Sequence, residues 1–470
     1  NDRPTRNRFE TSHDRDSQLM ALAVLLIVLV LGSLLFHFFS PWYFTPLASN
    51  WGLIDFTVDI TFVVTGIVFV AANLFMAYCL IRFRHKEGRR ADYEPENTKL
   101  ELWLTAITTV GVIAMLAPGL VVWGQFVTVP EEAAEFEAVG QQWHWSFRFP
   151  GEDNVFGDVG VRHITEDNAF GMDPEDPAGQ DDILVASPIV HLPVDQPVQA
   201  WLRSKDVLHD FAVPQFRVKM DLVPGHVTYT WFTPTVVGEY EILCEELCGL
   251  AHFGMRGRVV VDERAEFEAW LDEQPTYAEL MAQGPGDPAL GQVNYALCGA
   301  CHGTQGAGMQ PLNAPRIAGL NARYVERQLN YFRDGVRGAH ELDTAGSMMR
   351  PIMAALPDDT AVRNVSAYIE TLRAEPSPIT VSGDIEQGAD LYANCAVCHG
   401  ADGEGIWAMN APALAGQSDW YLVTQLKNFR EEIRGAHRMD LYGDQMMMLA
   451  DVLSTDEDIN DVVAYLNTLR

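Results

Sequence analysis

Near the start of the chain, three stretches are apolar for about 20 residues each, the length that spans a bilayer's hydrocarbon core. They are Gln18–Phe39, about Thr61–Ile81 and about Leu102–Gly124. The first holds no Lys, Arg, Asp or Glu. It exceeds the roughly 7–15 residues of a secretory signal core, so the pattern predicts three membrane-spanning helices. Pro118 inside the third predicts a kink. From Val127 the apolar runs shorten and become β-branched and aromatic: Gln142–Phe149, Val198–Arg203, Val227–Phe232 and Gly257–Val261. Gly and Pro punctuate them, which predicts strands. After about Asp287 the spacing turns helical, as in Tyr324/Gln328/Phe332 and Val365/Tyr368/Leu372. The chain therefore divides into a membrane anchor (1–126), a β domain (127–262), a linker (263–288) and two helical domains (289–374 and 383–470). The linker carries an E-F-E-A-W-L helix and a Q-G-P-G-D-P turn.

The helical part repeats itself at a period of 97 residues without a gap. Asn313-Ala-Pro matches Asn410-Ala-Pro, Tyr324, Gln328 and Phe332 match Tyr421, Gln425 and Phe429, and Arg337-Gly-Ala-His340 matches Arg434-Gly-Ala-His437.

Charge separates the halves. The chain of 470 residues carries 32 Lys+Arg against 64 Asp+Glu, a net −32. The anchor holds 10 basic and 11 acidic residues, so nearly the whole imbalance lies beyond Val127. Such acidity excludes a nucleic-acid binder, which needs basic patches. Loop charge also predicts orientation. Arg3, Arg6, Arg8 and Arg15 precede the first span, and Arg82, Arg84, Lys86, Arg89, Arg90 and Lys99 lie between the second and third, whereas Ser40–Phe56 has neither Lys nor Arg. The positive-inside rule then puts the N-terminus in the cytoplasm and the polar domains outside. The aromatic residues Phe36, Phe38, Phe39, Trp42, Tyr43 and Phe44 suit an interfacial belt. The acidic surface, Glu131-Glu132 and Glu166–Asp182 among it, reads either as a solvated face suited to a salty medium or as steering for a basic donor protein.

The seven cysteines carry the chemistry. Cys79 lies within the second span and reads as a packing residue. The rest form three pairs: Cys244/Cys248, Cys298/Cys301 and Cys395/Cys398. The last two belong to CGACH and CAVCH, the C-x-x-C-H signature of covalently attached haem. The thiols take the haem vinyl groups, and His302 and His399 supply the proximal iron ligands. For the sixth ligand, the 97-residue shift leaves one pair that is Met in both copies, Met349 and Met446, while His340 and His437 also coincide. A thioether opposite His raises the potential, which suits delivery to an oxidising centre, so the Met pair is expected. The remaining Met residues read as core filler.

The segment CEELCGLAHFGM, residues 244–255, gathers Cys244, Cys248, His252 and Met255 within twelve residues. Thiolates, thioether and imidazole favour copper; zinc is the competing reading, though structural zinc sites use Cys and His without Met. A second segment, SKDVLHDFAVPQFRVKMDLVPG (204–225), adds His209.

Together these two segments closely resemble subunit II of haem–copper cytochrome c oxidases. The resemblance implies membrane helices followed by an all-β cupredoxin sandwich holding the binuclear CuA centre. In that family's pattern Cys244 and Cys248 bridge two coppers, His209 and His252 are terminal ligands, and Met255 is the weak thioether. Glu246 gives its backbone carbonyl to copper and its carboxylate to Mg²⁺ shared with subunit I. Within GQQWHWSFRF (140–149), Trp143 falls where electrons reach CuA, with domain packing as its plain alternative. His144 stands where relatives often have Tyr. Glu101 falls at the mouth of a proton channel, or is an ordinary acidic residue at a helix start. The C-terminal 180 or so residues resemble two-lobed dihaem cytochromes c, so two all-α class I cytochrome c domains are expected. The chain departs from the minimal family in an extra N-terminal span and in the two haem domains at its C-terminal end.

The resemblance implies an electron-accepting subunit of a proton-pumping terminal oxidase in a bacterial inner membrane. Electrons pass from cytochrome c or a quinol-oxidising complex through two haems to CuA and on to subunit I, with subunit III also expected and oxygen reduced outside this chain. A CuA subunit of a nitric-oxide reductase and a stand-alone membrane-anchored carrier are the alternatives; Glu101 and Glu246 speak against the second, since both make sense beside subunit I. Nitrous-oxide reductase shares the copper motif but needs a His-rich propeller that this chain lacks.

Overall fold

The structure is a computed structural model that describes residues 8–40, 45–84, 86, 88–90, 93 and 95–470. Arg3, Arg6, Trp42, Tyr43 and Phe44 lie outside the described residues. The chain forms two units, one of residues 1–131 with Pro214–Arg217, the other of 132–213 with 218–470.

The first unit is built on α1 (Arg8–Phe39), α2 (Gly52–Arg82) and α3 (Thr98–Phe126), each containing a segment long and apolar enough to cross a membrane. α2 packs against both neighbours. Their outward side chains, such as Leu25, Ile67 and Val110, are exposed to whatever surrounds the helices, as lipid-facing positions must be. Asn97 caps α3, its Oδ1 accepting from the Leu100 amide at 3.1 Å. Arg217 makes a two-pronged ion pair with Asp55, at 2.7 and 2.9 Å.

The second unit opens with a sandwich of two five-stranded sheets. The strands are β1 (Ala134–Gln141), β2 (His144–Phe149), β3 (Ile183–Val185), β4 (Ile189–Pro193), β5 (Val198–Ser204), β6 (His209–Val213), β7 (Val218–Leu222), β8 (Val227–Phe232), β9 (Gly238–Leu243) and β10 (Arg256–Asp262). One sheet runs β3-β2-β1-β5-β8 and the other β4-β10-β9-β6-β7. β1/β5 and β4/β10 are parallel and the other pairs antiparallel. The four runs predicted as strands are β2, β5, β8 and β10 to within two residues. The others are short or carry charged residues, so periodicity alone did not reveal them. β1 contains Glu137, which is buried because Arg148 (3.0 Å) and Arg203 (2.8 Å) both pair with it. Burial raises the Glu137 carboxyl, but Arg203 and Arg148 outweigh it and hold the group below the usual range. The core between the sheets is aromatic, with Trp145 edge-on to Phe211 at 5.9 Å.

The expected linker joins the domains while folding back on the sandwich. In α4 (Arg264–Asp272), Trp270 stacks on His191 at 4.4 Å and meets Phe149 at 6.0 Å. In α5 (Tyr277–Gln283), Tyr277 is buried with Val139, Phe170 and Met172. The aromatic residues in a segment otherwise rich in Glu and Asp are what anchor it.

Two four-helix copies follow: α6 (Pro288–His302), α7 (Ala322–Arg333), α8 (Thr344–Ile352) and α9 (Asp359–Thr371), then α10 (Ile385–His399), α11 (Asp419–Arg430), α12 (Leu441–Ala450) and α13 (Asp456–Leu466). In each copy the first helix crosses the last, α6 over α9 and α10 over α13. The crossings are so close that only Gly fits. A Cβ on Gly291 would lie 1.9 Å from the Asn364 carbonyl oxygen, and one on Gly388 would lie 2.0 Å from that of Asp461. Beside each crossing two Tyr rings meet, Tyr295 with Tyr368 at 5.2 Å and Tyr392 with Tyr465 at 5.4 Å.

Because backbone rather than a flexible side chain blocks the space, Gly291→Ala or Gly388→Ala must push two helices apart. Overpacking of this kind costs about 1–3 kcal/mol. The thermal unfolding midpoint of the haem-loaded chain should fall in each variant, followed by circular dichroism; an unchanged midpoint would show that the crossing is not a tight constraint.

Candidate metal and haem centres

β9 and β10 pair up to Leu243 opposite Arg256, so the ladder closes on the residues that bound the loop Cys244–Met255. β6 joins β9 through Ala212 and Leu243, which brings His209 to the same end of the sheet. The loop's donors converge there. Cys244 and Cys248 Sγ are 3.7 Å apart. His209 Nδ1 lies 3.9 Å from Cys244 Sγ, and His252 Nδ1 3.5 Å from Cys248 Sγ. Met255 Sδ is 3.8 Å from Cys248 Sγ, and the Glu246 carbonyl oxygen 3.3 Å from Cys244 Sγ. His209, Cys244, Cys248 and Met255 are buried and His252 is partly so.

The electrostatics match a cation-binding site. The Cys244 thiol is lowered, chiefly by the hydrogen bond from Cys248, and the Cys248 thiol is raised by the same contact: two sulfurs this close share one negative charge more readily than they hold two. A cation removes that conflict. Two sulfurs, a thioether and two imidazoles are the donor set of a soft, redox-active metal, so the residues fit copper. Behind the imidazole, Asp206 accepts from His209 Nε2 at 2.7 Å, which fixes the tautomer that leaves Nδ1 toward the sulfurs. Asp206 lies inside the S-K-D-V-L-H motif, so its position was legible in the sequence, although its role was not.

Trp143 is buried, and its Nε1 donates to the Cys248 carbonyl at 3.3 Å. Its neighbour His144 is also buried; burial first, then Lys205 and Arg327, push its imidazole down to about 3, so it is neutral. The Glu246 carboxylate is partly exposed and lies 3.9 Å from the Lys219 ammonium. Glu101 sits exposed in the first turn of α3, within the first unit.

The two C-x-x-C-H motifs close α6 and α10. His302 and His399 are buried, and each Nδ1 lies 2.8 Å from a proline carbonyl, Pro315 and Pro412 respectively. Those prolines belong to the repeated N-A-P motif, whose Asn313 and Asn410 adopt left-handed backbone (φ 51° and 55°) that turns the following carbonyl toward the ring. With Nδ1 committed, Nε2 is the free ligand atom, as an axial imidazole requires. All four cysteines are unbridged thiols. Donor set and orientation therefore fit haem. Met349 and Met446 lie partly buried on α8 and α12. His340 and His437 are exposed, and their Nδ1 atoms accept from the amides of Leu342 (3.2 Å) and Met439 (3.3 Å).

Repeated residues also build the seam between the two helical domains. Arg337 Nη2 donates to Tyr421 Oη at 2.8 Å, and Arg434 Nη2 to Gln328 Oε1 at 3.0 Å, while each Arg also bonds the Gln of its own copy at 2.7 Å. Each guanidinium stacks on its own copy's Phe at 4.6 Å. The repeat exposed these positions in the sequence, but nothing there showed that each reaches across to the other copy.

Comparison with known proteins finds matches in both the sandwich and the helical part. The family described as cytochrome c oxidase subunit II, periplasmic domain, matches residues 135–263, and the cytochrome c family matches 288–373 and 385–470. The alternative cytochrome c oxidase subunit 2 of Bradyrhizobium diazoefficiens is 57% identical over 261 residues, covering 56% of this chain and 94% of that protein. Cytochrome c oxidase subunit 2 of Cereibacter sphaeroides is 30% identical over 237 residues, 48% of this chain and 78% of that one. Among solved structures, reduced recombinant cytochrome c4 from Pseudomonas stutzeri is 29% identical, with a TM-score of 0.32, over 39% of this chain and 100% of that one. The chain belongs to the cytochrome c oxidase subunit II family and carries two cytochrome c domains on the same polypeptide.

Proposed function

We propose that this chain is the electron-accepting subunit of a proton-pumping haem–copper terminal oxidase, taking electrons from cytochrome c or a quinol-oxidising complex. The observation that carries the reading is the convergence of Cys244, Cys248, His209, His252 and Met255 within 4 Å contacts at one end of a rigid sheet. When bound, a binuclear copper centre supplies one-electron chemistry with its charge spread over two metals. Cys244, Cys248, His209, His252, Met255 and the Glu246 carbonyl would together hold the metals. The protein's part is to change little between redox states: strands on either side fix the loop, Asp206 fixes His209, and burial keeps water out. Trp143 would be the residue through which electrons enter the centre, a reading that its hydrogen bond to the Cys248 carbonyl supports.

In the helical domains Cys298, Cys301 and His302, with Cys395, Cys398 and His399, would hold two haems. Met349 and Met446 would supply the remaining iron ligands. The exposure of His340 and His437 supports that choice. Glu246 is proposed to share Mg²⁺ with subunit I, and Glu101 to stand at the mouth of a proton channel. Subunits I and III and membrane lipid are the proposed partners, with the metal and haem domains on the outer face of a bacterial inner membrane.

Metal analysis of the purified complex should give two coppers and two covalent haems per chain; zinc alone would overturn the copper reading, and purification in mild detergent without a haem-bearing catalytic subunit would overturn the oxidase reading. Asp206→Asn should weaken copper retention about 10–100-fold, the usual loss when a partner behind a metal-bound His is removed, read by titration with a chelator. Met349→His and Met446→His should each lower the potential of one haem and remove its sulfur-to-iron absorption band. A band unchanged in both variants would refute the ligand assignment.

A further inference from the structure

The two cytochrome c domains differ in where they meet the sandwich. The second seats α12 on the metal loop. Gln445 Nε2 donates to the Trp143 carbonyl and, at 3.2 Å, to that of Gly254, which directly precedes Met255 and lies two residues after His252. The fit is close: a Cβ on Gly254 would lie 3.3 Å from Gln445 Cγ and 3.7 Å from Met448 Cε. Tyr442 stands edge-on to His144 at 5.8 Å, Gln141 donates to the Ala408 carbonyl, and Arg438 pairs with Glu239 at 2.7 Å. The first domain meets the sandwich at its acidic loop, where Asn321 bonds Glu166 and Arg323 pairs with Asp167 at 2.6 Å.

The repeat supplies an independent sign. Shifted by 97 residues, Arg438, Tyr442, Gln445 and Met448 fall on Glu341, Ala345, Met348 and Pro351. Met348 is exposed, whereas Gln445 is partly covered. The copies agree at their haem motifs and at their shared seam, and diverge where one of them touches the metal loop.

We infer that the spatial order of the carriers inverts their order along the chain: the C-terminal cytochrome c domain is the one that reduces the copper site, and the N-terminal domain, nearer in sequence, is the outer one that meets the external donor. The inference rests on the copper and haem assignments above. A haem held by Cys395, Cys398 and His399 would supply one electron to the copper site, passing from ferrous to ferric with no proton or bond exchanged, and would regain one electron from the first domain across the seam of Arg337 and Arg434. Because α12 covers the Trp143 backbone and Trp143 is 3% exposed, a soluble donor has no direct approach to it.

The test compares matched substitutions in the intact complex, Gln445→Trp in the second copy and Met348→Trp at the equivalent place in the first. Haem content per chain confirms that both domains are folded. Microwave-power saturation of the copper EPR signal reads the proximity of a ferric haem, which speeds relaxation steeply as distance falls. Gln445→Trp, by wedging α12 off Gly254, should lower the half-saturation power severalfold and slow copper reduction at least tenfold in rapid mixing with reductant. Met348→Trp should leave both unchanged. Equal effects from the two variants, or a larger effect from Met348→Trp, would overturn the order. A complex with normal haem but no copper signal before mutation would instead overturn the copper assignment on which the order rests.

Discussion

The structure turns on the pairing of β9 with β10. Their ladder runs to Leu243 and Arg256, so the loop between Cys244 and Met255 is pinned at both ends by main-chain hydrogen bonds. Main-chain pairing does not depend on side-chain identity, which leaves the loop free to carry six polar or sulfur groups that would otherwise repel one another or demand water. β6 sets His209 beside them, and Asp206 holds its ring. Two sulfurs 3.7 Å apart and buried cannot both carry a negative charge without strong repulsion. They persist because the surrounding sheet over-determines their position, as electron-transfer sites need: a centre that barely moves has little to reorganise when its charge changes.

The same sandwich solves a second electrostatic problem. In a chain of net −32, its interior holds a positive pair, Arg148 and Arg203, bound to Glu137, with Asp182 also on Arg148 at 2.9 Å. Burial raises Asp182 to about 6 despite that arginine. Arg148 also donates to the Gly157 carbonyl at 2.8 Å, tying the acidic excursion between β2 and β3 to the core. The excess negative charge is thereby carried on loops, where water and salt screen it. One of those loops, at Glu166 and Asp167, engages Asn321 and Arg323 of the first cytochrome c domain, so acidity serves intramolecular attachment as well as solvation.

The duplicated domains show how one sequence unit takes two roles. Residues that build each copy are the same: the crossing glycines, the N-A-P turn, the paired tyrosines and the Arg that stacks on Phe. Those that attach the second copy to the metal loop are its own. Duplication preserves what a domain needs to fold around its own core, while contacts with a third domain are made by whichever surface happens to face it.

Much was legible in the sequence because it is local. Apolar length set the three helices, since a bilayer fixes the length required. The C-x-x-C-H motifs, and Cys244 to Met255, are dense enough that covalent spacing alone brings the donors near each other. The 97-residue repeat marked Met349 and Met446 as the one Met position shared by both copies. What sequence left open depends on contacts far apart in the chain. Strands such as β1 and β6 were missed because charged or short segments become strands only when partners neutralise and cover them. The aromatic docking of α4 and α5 could not be read from a segment rich in acidic residues. Above all, chain order places the first cytochrome c domain next to the sandwich, yet α12 of the second lies on Trp143 and Gly254. Sequence determined which chemistry the chain can hold, because ligand identity is written in residues; only tertiary structure decided which domain meets the copper loop, because that depends on complementary surfaces some 200–300 residues apart.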